Sequence, residues 1–377
     1  QSVVHGNTGR FPAHTLATKI VSDVLRLRKT KYQGFNDTHF TEHLVEDEKV
    51  HVSRASVQRI LRKNQIASPR KRRHRKHRGR RERMAQAGLM AQWDGSQHDW
   101  LEGRGPKLCL MGAVDDATGK LLKGAHFVEH ECSAGYLRAL HGMVRAHGVP
   151  WKIYMDKHSS LRRNDDHWTL EEELAGKQTP TQVGQALEEL DIEVIFANSA
   201  EAKGRIERAW GTLQDRLVSE LRLANAKTLA EANVVLEAYR PVYNKRFAKP
   251  PASRRPAWRK LPKGTDLARI CSLRKTTTVR NDNTVFFEGR VIDLPPGPNH
   301  TSWARKTVVV SHQLDGRIRV YLGDKVLASV RDAPPRRSPA RRRRGTKKKT
   351  ASPAAKKKLT FKQIAAKHKS STKTKVA

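Results

Sequence analysis

The sequence predicts a mixed α/β core, a five-stranded sheet with helices, preceded by a small helical unit and followed by a small β unit. Three observations predict it. Between residues 84 and 248, apolar runs of strand length come first in succession and then alternate with runs at helical spacing. Ahead of that stretch the apolar residues recur at the helical period. From Cys271 onward the pattern turns to short alternating runs broken by Asp315-Gly316 and Gly323-Asp324.

Composition narrows the class of partner. The chain has 377 residues, room for two or three small domains. Its 75 Lys and Arg stand against 37 Asp and Glu, a net charge of +38. Self-repulsion makes such an imbalance a cost to a compact fold, so it points to a polyanion. Nucleic acid is favoured over membrane, since no apolar run approaches the roughly 20 residues of a span. No signal peptide is visible. The chain opens with Gln1, as a processed chain or a fragment would. Cys109, Cys132 and Cys271 lie far apart and form no C-x-x-C pair. That argues against a zinc ribbon or a disulfide framework and fits a reducing cytosol.

Residues 1–69 are expected to form a helix-turn-helix. Leu16, Ile20, Val24 and Leu27 mark a first helix over 15–31. Phe40 and Leu44 mark a second over 38–47. Ser53 can cap a third over 54–63, with Val57, Ile60 and Leu61 inward. On that reading Arg54, Ser56, Gln58 and Arg59 are the candidates to face a DNA groove. A small helical bundle with a solvated basic face is the alternative. His39 and His43 have the spacing of half a zinc site. With no cysteine pair downstream, they are read as two surface histidines.

Residues 70–83 are nearly all cationic, Arg72, Arg73 and Arg75 among them. Like charges so dense oppose a compact fold, and a phosphate backbone would neutralise them. This is a basic linker expected to be extended when free and to bind DNA.

The core, residues 84–248, reads as strands at 89–94, 107–114 and 121–128, a helix at 133–147, a strand at 152–156, a helix at 181–190, a strand at 193–197 and a helix at 202–223. Asp116-Ala117-Thr118-Gly119 is a hairpin turn, so the first three strands form an antiparallel meander. The remainder adds strands in parallel. That order is the one of a ribonuclease-H-like fold. Asp94 closes the first strand, Asp156 closes the apolar run from Trp151, and Glu207 sits early in the last helix. Mg²⁺ wants oxygen ligands and usually takes one or two carboxylates per ion. Two ions about 3.5–4 Å apart can activate a water or 3′-hydroxyl and stabilise the leaving oxygen. Three carboxylates from separate elements in so basic a chain therefore suggest a two-metal nucleic-acid enzyme, with Mg²⁺ or Mn²⁺ as cofactor. Lys203 shares the polar side of the helix with Glu207 and would face phosphate.

The motifs Trp93-Asp94-Gly95-Ser96-Gln97-His98-Asp99-Trp100-Leu101-Glu102, Tyr154-Met155-Asp156-Lys157-His158-Ser159 and Lys203-Gly204-Arg205-Ile206-Glu207-Arg208 resemble the integrase core of insertion-sequence transposases of the ISNCY type. These belong to the wider group of D-D-E transposases and retroviral integrases. The resemblance extends over most of the chain. It implies that Asp94, Asp156 and Glu207 are the catalytic, metal-binding acids. It implies double-stranded DNA as partner, both transposon ends and target, and a homo-oligomer that synapses two ends. The expected place is the bacterial cytoplasm, at the nucleoid. Hydrolysis frees the 3′ ends and strand transfer joins them to target, with no ATP and no covalent enzyme intermediate. A nuclease on the same fold and a non-catalytic DNA-binding remnant are the alternatives.

From Asp94 to Asp156 is 62 positions (156 − 94), and from Asp156 to Glu207 is 51 (207 − 156). The second interval is longer than in the best-known retroviral members, and residues 161–178 read as a polar surface insertion. Asp165, Asp166 and Glu201 are rival acids. His98, Asp99 and His158 either support the metal ligands from behind or, for the first two, form a polar turn over Trp100. The rings of Trp93 and Tyr154 read as core.

Residues 228–243 give another helix and 249–270 a linker. Residues 271–332 give the small β-barrel, and the acid-free stretch from Pro334 a disordered basic tail, domain bounds 333–377.

Overall fold

The computed structural model describes residues 15–69, 81–156, 161, 167–197 and 204–331. The basic tail and most of the basic linker, with Arg72, Arg73 and Arg75, lie outside the described residues.

Three helices open the described chain: α1 (Thr18–Lys29), α2 (Asp37–Glu46) and α3 (Arg54–Lys63). The Asn36 side chain accepts from the His39 amide and the Ser53 hydroxyl from the Ser56 amide, so each cap satisfies a first-turn N–H. Val24, Leu27, Tyr32, Phe35, Phe40, Leu44, Val57 and Leu61 fill the space between the helices. His39 and His43 are not surface residues. His39 is 2% exposed, and both rings turn toward the core domain that follows. Helical spacing alone carried no sign of that contact, because the covering residues lie some 180 positions away.

The core sheet has five strands: β1 (Met90–His98), β2 (Leu108–Asp115), β3 (His126–Val128), β4 (Lys152–Met155) and β5 (Glu193–Phe196). Their order is β3-β2-β1-β4-β5. β1, β2 and β3 pair antiparallel, whereas β4 runs parallel to both β1 and β5. This mixed sheet with helices fits a ribonuclease-H-like core. On one face α4 (Ser133–His147) and α6 (Gln182–Glu189) bury Ala91, Trp93, Met111 and Ile153. On the other, α7 (Gly204–Leu223) and α8 (Leu229–Phe247) bury Leu108, Leu110 and Val114. All of β2 is buried, as a central strand covered on both faces should be.

Several boundaries differ from the sequence pattern for physical reasons. β1 runs four residues past Asp94, because the antiparallel ladder to β2 continues to His98↔Leu108. The third strand shrinks to three residues, since Gly124 takes φ +96° and its backbone crowds against Gly142 of α4. α8 passes through Pro241 to Phe247, and the Asn244 side chain donates to Leu121 O at 2.9 Å and accepts from its N–H at 2.7 Å. Among its described residues the insertion holds a short helix, α5 (Leu170–Ala175), with a Thr169–Glu172 capping box.

The stretch 249–270, expected as a linker, lies along the core. Val149 and Arg259 form a β-bridge, Ala257 N donates to Ala87 O, and the short helix α9 (Leu267–Ile270) brings Ile270 into the core. The β unit follows with β6 (Leu273–Thr278), β7 (Thr284–Phe287), β8 (Arg290–Asp293), β9 (Thr307–His312), β10 (Ile318–Leu322) and β11 (Lys325–Val330). It forms a four-stranded sheet, β11-β10-β9-β6, and a separate β7-β8 hairpin. Both pack on one core of Val285, Phe287, Trp303, Val310 and Val320. Among the described residues the ladders do not close into the single barrel expected. No helix of the described residues is long and apolar enough to cross a membrane.

Candidate active site

β1 and β4 pair in parallel, and their last paired residues are Gln92 and Tyr154. Asp94 and Asp156 each follow two positions later, Asp94 within β1 and Asp156 just past the end of β4. β4 ends at Met155, so Asp156 leaves the sheet where β1 continues alone with β2. Both acids are half-buried.

Helix α7 tracks the same strand. Ile206 N donates to Gln92 Oε1 at 3.1 Å, Trp210 Nε1 to Asp94 Oδ2 at 3.1 Å, and Gln214 Nε2 to Ser96 Oγ at 3.0 Å. Four helical residues advance about 6 Å and two strand residues about 6.6 Å, so helix and strand keep step. Gln92, Asp94 and Ser96 share one face of β1, while Ile206, Trp210 and Gln214 share one stripe of α7. Glu207 lies in the first turn, between the first two of these contacts, and is exposed.

A buried hub fixes the start of α7. Asp116, 0% exposed, accepts from Arg205 Nη1 at 2.7 Å, Gln92 Nε2 at 2.8 Å and Met84 N at 2.9 Å, and pairs also with Arg81. Arg205 is held below its ordinary value by burial, with Asp116 opposing. One carboxylate thus ties the end of the basic linker, β1 and the first turn of the helix that carries Glu207.

The motif search missed a fourth carboxylate, Glu131. It accepts a short hydrogen bond from the Tyr136 hydroxyl, and a methyl on Gly95 would stand 2.6 Å from its Oε2. Burial raises the Tyr136 hydroxyl far above its usual value, and the charges of Glu131, Asp94 and Asp156 push the same way. Burial pushes the Cys109 thiol up to about 12, with Glu131 and Asp94 adding to it, so Cys109 is no nucleophile at neutral pH. Three carboxylates therefore act on one small region. Glu131 sits in a loop just before α4, where no periodicity marks it.

The remaining candidates disperse. His98 lies four residues beyond Asp94, about 13 Å along an extended strand, and meets the Trp100 ring edge-on. Asp99 accepts from Gly103 N at 3.1 Å and closes the following turn. Both thus adjoin the turn that holds buried Trp100. His158, Lys203, Asp165, Asp166 and Glu201 lie outside the described residues. The four α3 candidates split into two pairs. Arg54 and Gln58 line a cavity of about 900 Å³ that reaches Thr212, Asp215 and Arg216 of α7. Ser56 and Arg59 line another side with Lys63 and Asn64.

The core acids offer carboxylate oxygens only, Asp94 from the middle of β1, Asp156 from just past β4 and Glu207 from the first turn of α7. That suits a hard divalent cation such as Mg²⁺.

Fold and site together define a ribonuclease-H-like domain that carries Asp94 within β1 and Asp156 just past the end of the neighbouring β4. No family model matches the chain. It is 33% identical over 320 residues, 85% of its length, to y4bF of Sinorhizobium fredii (strain NBRC 101917 / NGR234), named as a transposase, and covers 68% of that protein. It is 28% identical over 366 residues to the transposase for insertion sequence IS1202 of Streptococcus pneumoniae, covering 85% of this chain and 75% of that one. The chain belongs to this family of transposases. Two solved structures are also similar. One is the HTLV-2 integrase catalytic core domain in complex with magnesium, at 17% identity and TM-score 0.29, covering 40% of this chain and 84% of that one. The other is the simian T-cell lymphotropic virus intasome in complex with PP2A regulatory subunit B56 gamma, at 15% identity and TM-score 0.32, covering 81% and 94%. The fold assignment rests on strand order, not on these low scores.

Proposed function

We propose that this chain is a DNA transposase of the D-D-E kind, nearest the ISNCY type its motifs resemble, with Asp94, Asp156 and Glu207 as its catalytic acids. The observation that carries the reading is that Asp94 and Asp156 each follow the last paired residues of parallel β1 and β4 by two positions, with Asp94 joined to α7 through Trp210, in a member of a transposase family. The three acids would hold two Mg²⁺ or Mn²⁺ ions. The chemistry those ions supply when bound is neutralisation of phosphate charge and activation of the attacking oxygen.

The chain's own residues do the positioning. Trp210 fixes one oxygen of Asp94. The Asp116 hub sets the height of Glu207 above the sheet. Arg54, Ser56, Gln58 and Arg59 would face a DNA groove, the basic linker with Arg72, Arg73 and Arg75 would meet the DNA backbone, and Lys203 would meet phosphate. In the first step water attacks a phosphorus and the bond to the 3′-oxygen breaks, leaving a 3′-hydroxyl. In the second that hydroxyl attacks target DNA, releases a 3′-oxygen there and conserves the number of phosphodiester bonds. The DNA is double-stranded, and a homo-oligomer pairs the two transposon ends.

The test is a supercoiled donor carrying the element's own ends, incubated with target and Mg²⁺ or Mn²⁺. Joined products are expected, and Asp94→Asn should abolish them while DNA binding is kept. Binding without cleavage in both metals would make the chain a non-catalytic DNA-binding protein. Full cleavage by Asp94→Asn would remove that residue from the site.

A further inference from the structure

We propose that His39, His43 and Glu220 form a binding site for a zinc-class divalent cation that fastens the N-terminal helices to α7, independent of the reaction assigned to the core acids. His39 and His43 are one turn apart on α2, so both imidazoles leave the helix on the same side. Glu220, near the end of α7, faces them. Nε2 of His39 lies 2.7 Å from Glu220 Oε1, Nε2 of His43 lies 2.9 Å from the same oxygen, and the two nitrogens are 3.2 Å apart. All three donor atoms fall within 4.8 Å of one another. Bonds of about 2.0–2.2 Å at tetrahedral angles separate donors by about 3.3–3.5 Å, so an opening of up to about 0.8 Å, within reach of side-chain rotation, would admit the ion.

Hydrogen bonds alone explain this arrangement poorly. Each ring would donate from Nε2 to the one oxygen, which sets two N–H groups against each other across 3.2 Å. A cation in place of both protons removes that conflict. Two imidazoles and a carboxylate form a zinc set with a fourth position left for water. Mg²⁺, which prefers oxygen throughout, is a poor match. His43 Nδ1 also meets Asp47 Oδ2 at 2.6 Å, the outer carboxylate that orients a ligating histidine.

The surroundings suit a cation. Side-chain exposures are 3%, 14% and 17% for His39, His43 and Glu220, so competition from water is small. A cavity of about 470 Å³ lined by these residues with Asp47 and Tyr239 gives access and room for a water ligand. The nearby Arg216 guanidinium is neutralised by both oxygens of Glu42, at 2.5 and 3.1 Å.

The test uses the full chain carrying Asp94→Asn, stripped with chelator and titrated with Zn²⁺ against a chromophoric competitor. Uptake of one Zn²⁺ per chain is expected, and Co²⁺ in its place should give the visible absorption of a tetrahedral site. His43→Gln should weaken uptake at least 100-fold and abolish that absorption. Asp47→Asn, which leaves all three ligands, should weaken it about 10–100-fold. Glu220→Gln keeps the shape and an acceptor, so native circular dichroism with lost zinc uptake is expected. No zinc uptake by the folded parent would overturn the site, as would uptake unchanged in folded His43→Gln and Glu220→Gln.

Discussion

The indole N–H of Trp210 donates to Asp94 Oδ2 at 3.1 Å, so the helix that carries Glu207 also grips the acid of β1. Trp210→Phe keeps an aromatic ring on the sheet but removes the donor and part of the buried indole. Stability should fall by about 2–4 kcal/mol, the hydrogen bond contributing about 1 of it and the lost packing the rest. Strand transfer should fall roughly 10-fold or more, because a small misplacement of an acid is felt strongly in catalysis. A thermal melt and a single-turnover cleavage assay read the two effects separately. A folded Phe variant with unchanged turnover would show that the bond does not position Asp94.

Asp116 should matter to folding as much as any apolar core residue. Replacing it with Ala strands Arg205, at 10% side-chain exposure, beside Gln92 with no counter-charge. Loss of one partner from a buried pair costs about 3–5 kcal/mol. Arg81→Ala should cost much less, since that side chain is 36% exposed and leaves Arg205 in place. Urea denaturation of the two variants checks the ranking.

The fold should weaken in mild acid through His126. Burial lowers this imidazole to about 4, while the bond from its Nδ1 to Gly124 O opposes the shift. The unfolded chain takes up the proton near its ordinary value of about 6.5. Between those two values the unfolded state binds more protons, so stability rises with pH through that window. The loss at pH 5 relative to pH 8 should be about 2 kcal/mol from this group. Denaturation curves across that range should steepen with His126 present and flatten in His126→Gln. An equal slope in both would assign the acid sensitivity elsewhere.

What was legible in the sequence was local. Ser53 and the spacing of Val57, Ile60 and Leu61 fixed α3 at Arg54–Lys63, because cap and stripe lie within one turn of what they define. α4 at Ser133–His147 was legible from its apolar stripe alone, Tyr136, Leu137, Leu140, Met143 and Val144, since no side chain caps it. The 62-residue interval between Asp94 and Asp156 is also the register offset of β1 and β4, which only the ladder reveals. Contacts between distant segments were hidden. His39 and His43 looked like surface residues until Glu220 covered them, and Glu131 had no pattern to mark it. β1 outran its expected end because pairing with β2 overrides the weak strand preference of Gly95, Ser96 and Gln97.

The matched advance of α7 and β1 works like a rack and pinion. Adding a single residue between Ile206 and Trp210 would turn everything downstream by about 100°, pulling the indole off Asp94 and Gln214 off Ser96 together. A length change within those four positions therefore breaks both contacts at once.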